Sequence, residues 1–134
     1  MKGNGAIELI AVSKHYGSTI AVKSIDLKMP AGAYCCLIGP SGCGKTTTLR
    51  MIAGHEVISE GDLLIGDRNV TELPPVKRGT AMMFQNYALF PHMTCMENVA
   101  FGLRMQGVST AERNERAKEM LARVHMEKFA DRKP

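Results

Sequence analysis

Apolar and polar residues alternate near the start of the chain in a pattern that predicts two strands. Residues 6–13 (AIELIAVS) and 20–28 (TIAVKSIDL) carry apolar side chains at about every second position. In the second segment Ala21, Ile25 and Leu27 are the candidate inward-facing residues. The two segments together indicate an antiparallel β region at the beginning of the fold.

A continuous apolar run follows a turn marked by Pro30 and Gly32. Residues 33–38 (AYCCLI) predict a strand buried on both faces, because the run is short and bounded by turn residues. Residues 80–84 (TAMMF) give another candidate strand. Between them, residues 59–70 (SEGDLLIGDRNV) place Gly-Asp pairs on both sides of an apolar triplet, which is typical of a hairpin.

The pattern changes to a helical period in three places. Residues 44–53 place Leu49, Ile52 and Ala53 on one side of a helix, and Gly54 is its expected C-cap. A second helical region is expected after Pro91.

The last segment has the clearest helical pattern. Ser109 and Glu112 have the spacing of a capping box. Apolar residues then recur, with charges between them, at Ala117, Met120, Leu121 and Val124.

Composition excludes several classes of protein. A chain of 134 residues with 45% apolar content is long enough for a real core. Its longest apolar run, residues 33–38, is far shorter than the roughly 20 residues of a membrane span. The N-terminus lacks the long apolar region of a signal peptide, so we expect a cytoplasmic protein with at most a peripheral membrane role.

Charge and cysteine usage give two further expectations. The net charge is +4, but basic and acidic residues alternate over residues 113–119, which is typical of a solvated helix face and not of a nucleic-acid patch. The four cysteines show no C-x-x-C pair and no metal-ligand spacing. We expect them to be free, buried and reduced; they are Cys35, Cys36, Cys43 and Cys95.

The segment LIGPSGCGKTTTLR contains a candidate phosphate-binding loop. Gly39-x-x-x-x-Gly44-Lys45-Thr46 matches the P-loop pattern. Backbone N–H groups must point at phosphate oxygens, and glycines permit the required conformations. The dipole of the following helix favours an anion at its N-terminus. Lys45 would neutralise the β- and γ-phosphate oxygens, and the Thr46 hydroxyl would ligate Mg²⁺.

A P-loop alone does not select one class of enzyme. The Asn-Lys-x-Asp and Asp-x-x-Gly motifs of GTPases do not occur in the sequence. No constellation for the acceptor site of a small-molecule kinase is recognisable either.

Three stretches together resemble the ATP-binding subunit of ABC transporters. SKHYGSTIAV (13–22) is similar to the A-loop of that family, whose aromatic residue stacks on adenine, here Tyr16. GPSGCGKTTTLRMIAG (39–54) is similar to its Walker A segment and helix. MFQNYALFPHMTCMENVAFGL (83–103) resembles its Q-loop and the start of its helical subdomain, with Gln85 as the Q-loop glutamine.

The resemblance implies an α/β P-loop NTPase fold of the ABC nucleotide-binding type, truncated, with an antiparallel β region and the start of a helical subdomain. It divides the chain into an ATP-binding core (1–86) and the beginning of the helical subdomain (87–134). It implies ATP and Mg²⁺ as cofactors, with Lys45 and Gln85 catalytic and with Thr46 and Gln85 at the metal. The nucleotide-binding residues would be Tyr16, Gly39, Pro40, Ser41, Gly42, Cys43, Gly44, Lys45, Thr46 and Thr47.

The third stretch, with ELPPVKR (72–78), is most similar to importer ATPases of the spermidine/putrescine type. Related importers of sulfate, iron, phosphonate or sugars carry nearly the same sequences, so the cargo stays open. The resemblance implies permease subunits, a solute-binding protein and a second ATP-binding subunit as partners, at the cytoplasmic face of the inner membrane. Candidate contacts with the membrane subunits are the side chains of Leu89, Phe90 and Met93, which we expect to be exposed.

Several motifs of the ABC ATP-binding subunit do not occur in these 134 residues. An apolar strand ending in Asp-Glu, the Leu-Ser-Gly-Gly-Gln signature, the D-loop and the switch histidine are all missing. We therefore expect that residues 1–134 alone fold poorly and do not turn over ATP. Two alternatives remain, namely a non-hydrolysing nucleotide-binding module and a soluble ABC-type ATPase that acts on nucleic acid or ribosomes.

Overall fold

The computed structural model describes residues 5–85 and 87–134, and these residues divide into two compact units with the boundary between Met82 and Met83. Within its described residues the first unit contains one four-stranded sheet in the order β2-β1-β3-β4, all antiparallel. The strands are β1 (Ile7–Tyr16), β2 (Thr19–Met29), β3 (Glu60–Ile65) and β4 (Arg68–Asn69). The two predicted strands and the hairpin over residues 59–70 are confirmed.

The alternation in β2 shifts by one position part-way along the strand. Ser24 has a φ of 39°, and the pairing of β1 with β2 is irregular on both sides of Val12. The buried side chain of β2 is therefore Val22, whereas Ile25 and Leu27 are half-buried against the core and Ala21 is half-buried. A simple two-residue period could not predict this shift, because the backbone irregularity resets it.

One helix, α1 (Lys45–Ala53), covers the sheet in the first unit. Gly54 caps its C-terminus in the left-handed conformation, as predicted. Its inward face carries Ile52 and Ala53, but Leu49 is exposed. The core shared by helix and sheet consists of Leu9, Val12, Val22, Met51, Ile52, Ile58, Leu63 and Val70.

Residues 33–38 form neither a strand nor a buried segment, so that prediction was wrong. The side chain of Ile38 is 90% exposed, and no segment among the described residues pairs with this backbone. An extended segment becomes a strand only where a neighbour completes its hydrogen-bond ladder. Residues 80–84 likewise lie outside the strands that the structure describes.

The cysteines are free, as expected, but they are not buried. Cys35, Cys36 and Cys43 are exposed, and Cys95 is half-buried. The expectation of burial failed for the first two because it rested on a buried strand over residues 33–38.

The second unit contains two helices joined by a short connection, α2 (Cys95–Met105) and α3 (Thr110–Arg123). Both predicted helical regions are thus confirmed, and Ser109 accepts a hydrogen bond from the Glu112 N–H at the start of α3. The small residues Ala100 and Ala117 are buried where the helices pack.

Some predicted faces of the second unit differ from the structure. Of the predicted apolar positions in α3, Ala117 and Leu121 are buried, whereas Met120 and Val124 are exposed. Leu89 is exposed as expected, but Met93 is buried, so it does not serve as an exposed contact.

Phe90 is half-buried and packs on Phe101 with ring centroids 4.5 Å apart. The Asn98 side chain explains this inward packing. It accepts from the Phe90 N–H and donates to the carbonyls of Phe90, Met93 and Thr94. These bonds draw the segment before α2 inward.

Candidate nucleotide site

Residues 39–44, called here the phosphate loop, lead directly into α1. Gly42 and Gly44 have φ values of 80° and 89°, in the left-handed region that side chains disfavour. Gly44 is the N-cap of α1 and supplies no side-chain cap, and the first turn of the helix contains no acidic residue. The first N–H groups of α1 therefore keep their capacity to bind an anion, with the helix dipole favouring it.

Gly44 is also required by its packing against β2. A Cβ at this position would lie 2.8 Å from the carbonyl oxygen of Ala21 and 3.0 Å from Cγ2 of Val22. Only glycine allows the loop to approach the strand this closely. The sheet therefore fixes the end of the phosphate loop where the helix begins.

The ammonium group of Lys45 lies within the curve of the phosphate loop. Its Nζ donates to the carbonyl oxygens of Gly39 at 2.8 Å and Pro40 at 2.6 Å, and it lies 3.4 Å from Sγ of Cys43. A cation held by the loop carbonyls is placed where it would exchange these partners for the oxygens of a bound phosphate.

The hydroxyl groups of the loop and the first helical turn differ in their availability. Ser41 and Thr46 are exposed, and Thr47 is half-buried. Thr48 is buried, and its hydroxyl donates to the Gly44 carbonyl at 2.9 Å. An exposed hydroxyl on Thr46 fits the hard oxygen ligands that Mg²⁺ prefers.

A cavity of about 510 Å³ opens beside the phosphate loop, between β2 and residues 36–38. Lys45 and Cys43 line it near the loop, and Ile25 and Leu27 line its apolar side. Lys23 of β2 also lines this cavity, so Lys45 is not its only cation.

Tyr16 ends β1 and is 47% exposed. Lys14 lies on the same side, with its Nζ 4.7 Å from the centroid of the Tyr16 ring. The Glu56 carboxylate near the Tyr16 hydroxyl raises the pKa of the tyrosine. Hydrogen bonds from Lys14 and then from Tyr16 lower the pKa of Glu56.

Comparison with known proteins decides the family. Residues 22–134 match the family described as ABC transporter. The chain belongs to the ABC transporter family.

Curated ABC relatives cover the chain almost completely. A spermidine/putrescine import ATP-binding protein from Bacillus cereus is 47% identical over 128 residues, and one from Oleidesulfovibrio alaskensis is 50% identical over 127 residues. These alignments include 96% and 95% of this chain but only 39% and 34% of the relatives. The chain thus spans little more than a third of their length.

Solved ABC cassettes show the same fold. A dimeric ATP-binding cassette in a post-hydrolysis state bound to ADP and Pi superimposes with a TM-score of 0.82 at 31% identity. A second dimeric structure, of a bacterial ABC transporter cassette, gives 0.82 at 32% identity. Each match covers 96% of this chain and 61% of the cassette. The α/β fold of the ABC nucleotide-binding type is therefore confirmed.

One predicted site residue of this ABC chain, Gln85, lies outside the unit that contains the phosphate loop. Gln85 is exposed in the second unit, so its pairing with Thr46 at a metal ion stays a prediction. Among the described residues no cluster of His, Cys, Asp and Glu side chains has the geometry of a metal site. Nor does any described helix have the length and apolar character needed to cross a membrane.

The sequence analysis did not identify Lys14 and Glu56 as neighbours of Tyr16. Lys14 is two residues before Tyr16, so both side chains project from the same face of β1, and this spacing was the available clue. Glu56 follows α1, and its meeting with Tyr16 depends on tertiary packing that no local pattern encodes.

Proposed function

We propose that this chain is the phosphate-loop part of the ATP-binding subunit of an ABC importer for a small solute, of the polyamine (spermidine or putrescine) type. The observation that carries the ATP site is the Lys45 ammonium held within the phosphate loop at the N-terminus of α1. The cargo class rests on the names of relatives that are 47% and 50% identical to the chain.

Each site residue then has a proposed role. The backbone of residues 39–44 would surround the phosphates, and Lys45 would neutralise their oxygens. Thr46 would ligate Mg²⁺, and Tyr16 would stack on the adenine base. Gln85 would act near the metal and the attacking water.

The importer would place this subunit at the cytoplasmic face of the membrane. Its partners would be membrane-spanning permease subunits, a solute-binding protein and a second ATP-binding subunit. Residues 1–86 would form the ATP-binding core, and residues 87–134 the beginning of the helical arm. Nucleic acid is not among the proposed partners, since charges of both signs alternate along α3.

We further propose that the 134 residues by themselves do not turn over ATP. Neither the Asp-Glu pair that would support Mg²⁺ and polarise water nor the signature motif occurs in the sequence. Purified 134-residue chain should release no phosphate above a Lys45→Ala control. Steady release that Lys45→Ala abolishes would contradict this proposal.

Uptake of labelled solute tests the importer function. A strain that lacks the gene should lose spermidine or putrescine uptake, and the full-length wild-type gene should restore it. Lys45→Ala should fail to restore uptake, whereas the exposed surface variant Lys118→Ala should succeed.

The same strain distinguishes the cargo from the machinery. Normal polyamine uptake with a loss of sulfate, iron, phosphonate or sugar uptake would overturn the polyamine assignment and keep the importer. Full restoration by Lys45→Ala would overturn the ATP-driven function itself.

A further inference from the structure

We propose that Lys14 and Glu56 are positioning residues that hold the Tyr16 ring for stacking on a purine base. This inference rests on the proposed nucleotide site, since it assigns residues that act through Tyr16. It is carried by the ion pair between Lys14 and Glu56, by the contacts of both side chains with Tyr16, and by their connections to the phosphate loop.

The Lys14–Glu56 ion pair is short, and its lysine is largely shielded from water. Nζ of Lys14 lies 2.8 Å from Oε1 of Glu56, and the two side chains are 9% and 21% exposed. The same ammonium donates to the Val57 carbonyl at 2.8 Å. Two partners fix the lysine in one place, which an exposed ion pair would not do.

Both groups engage Tyr16 from different directions. The Lys14 ammonium lies over one face of the ring at 4.7 Å from its centroid. The Glu56 carboxylate is close enough to the phenol hydroxyl to raise the pKa of Tyr16. The cation on one face restricts the orientation of the ring, and a base would stack on the face that Lys14 leaves uncovered.

The pair also ties Tyr16 to the phosphate loop through two routes. Lys14 is the cross-strand partner of Val22, and Val22 packs against Gly44 of the phosphate loop. Glu56 follows the C-terminus of α1, the helix that starts directly after the phosphate loop.

Hydrogen bonds next to the pair strengthen the second route. The Ser59 N–H donates to the Ser13 carbonyl at 3.0 Å, and the His15 N–H donates to Oγ of Ser59 at 3.0 Å. The end of β1 is thereby attached to the segment after α1. The base-facing ring and the phosphate-binding helix are thus held at a set separation.

Stability alone gives a weak reason for such a pair. Removing two charges from water costs free energy that their attraction only partly offsets, and apolar replacements are often neutral. A positioning role makes a different prediction, because it affects ligands that carry a base and spares ligands that carry phosphates only.

The test compares two probes, Mg·ATP and inorganic Mg·tripolyphosphate, on the full-length gene product. Lys14→Met and Glu56→Gln should each weaken Mg·ATP binding by about tenfold, since a ring that is not held in place stacks less well on the base. Their affinity for tripolyphosphate should change less than about twofold by the same reasoning. Lys14→Arg should restore most of the ATP affinity, because it keeps the cation beside Glu56.

The matched control is Lys28→Met. Lys28 also pairs with a glutamate, Glu8, at 3.2 Å in the same sheet, but its side chain is exposed. It should leave both affinities unchanged. The part of the ATP-induced change in tyrosine fluorescence that Tyr16→Phe removes reports on Tyr16, and this part should be lost in Glu56→Gln.

Each outcome is decisive. If Tyr16→Ala loses ATP affinity but Lys14→Met and Glu56→Gln do not, the positioning proposal is wrong and the role of Tyr16 stands. If Tyr16→Ala leaves ATP affinity intact, the proposed base site itself is wrong. If Glu56→Gln lowers the affinity for both probes equally, the pair has a general structural role and the inference is overturned. Should Lys14→Met fail to fold, the near-isosteric Glu56→Gln decides the question.

Discussion

Gly44 packs so closely on Ala21 that a Cβ on the glycine would lie 2.8 Å from the Ala21 carbonyl oxygen. This contact joins the phosphate loop to β2. Because the obstacle is backbone and not the end of a flexible side chain, it cannot move aside without shifting the strand. The position of the loop is therefore a property of the sheet as much as of the loop itself.

Gly44→Ala should destabilise the protein by about 2 kcal/mol or more, since it adds the left-handed backbone penalty to the contact with Ala21. The matched control is Gly102→Ala, because a Cβ at Gly102 would meet no atom within 4 Å. That change should stabilise α2 by about 0.5–1 kcal/mol. Thermal unfolding measures both, and similar shifts for the two variants would contradict the packing argument.

Arg78 should be a major contributor to the stability of the first unit. Its side chain is 8% exposed and donates to the carbonyls of Met51, Ile52, Leu73 and Thr71. Burial lowers the pKa of this guanidinium. Arg78→Met leaves these oxygens without their donor and should cost about 3 kcal/mol in denaturant unfolding.

The control for Arg78 is Arg116→Met. Arg116 is exposed and pairs with Glu112 one turn away at 3.6 Å, so its loss should cost less than about 0.5 kcal/mol. Arg78→Lys should fall between the two, because one ammonium cannot reach all four carbonyls. An Arg78→Met protein as stable as Arg116→Met would contradict the claim that the hydrogen bonds of Arg78 to these carbonyls stabilise the first unit.

The ionisation of Tyr16 should depend on Glu56. The pKa of Tyr16 is raised above its ordinary value of 10.0, first because the Glu56 carboxylate interacts with its hydroxyl. This interaction stabilises the folded state at pH values below 10.0, and its contribution is lost as the pH rises through the raised pKa. In Glu56→Gln, alkaline titration of tyrosinate absorbance should show the pKa of Tyr16 moving down. An unchanged titration would mean that the two side chains do not interact in solution.

The N-terminus of α2 carries a complete capping box that the sequence reasoning passed over. The Thr94 hydroxyl accepts from the Glu97 N–H, and the Glu97 carboxylate accepts from the Thr94 N–H at 2.7 Å. Thr94→Ala should destabilise the helix by about 1 kcal/mol. Thr94→Ser, which keeps the hydroxyl, is the control.

The same box gives a dependence on pH. The bond from the Thr94 backbone, followed by that from its side chain, lowers the pKa of Glu97. The stabilising contribution of Glu97 is therefore complete above its ordinary value of 4.5 and is lost as the pH falls through the lowered pKa. The stability difference between wild type and Glu97→Gln should shrink in acid, and a difference that grows would contradict this assignment.

Features that depend on residues close together in the sequence could be predicted. Features that depend on contacts between residues far apart in the sequence could not. The glycine spacing of the phosphate loop and the Gly54 cap are local, and both could be recognised in advance. The strand over residues 33–38 required a neighbour that no local pattern can supply. Lys14 was passed over for the same reason, because its partner Glu56 follows a different element.

Equilibrium binding of Mg·ATP to the full-length gene product, measured by calorimetry, tests the central claim most directly. Wild type should bind, and Lys45→Ala should lose at least about tenfold in affinity, because the charge-assisted bonds to phosphate disappear. Lys118→Ala, which removes an exposed lysine from α3, should bind as wild type does. Equal binding by Lys45→Ala and wild type would contradict the claim that residues 39–45 form the nucleotide site.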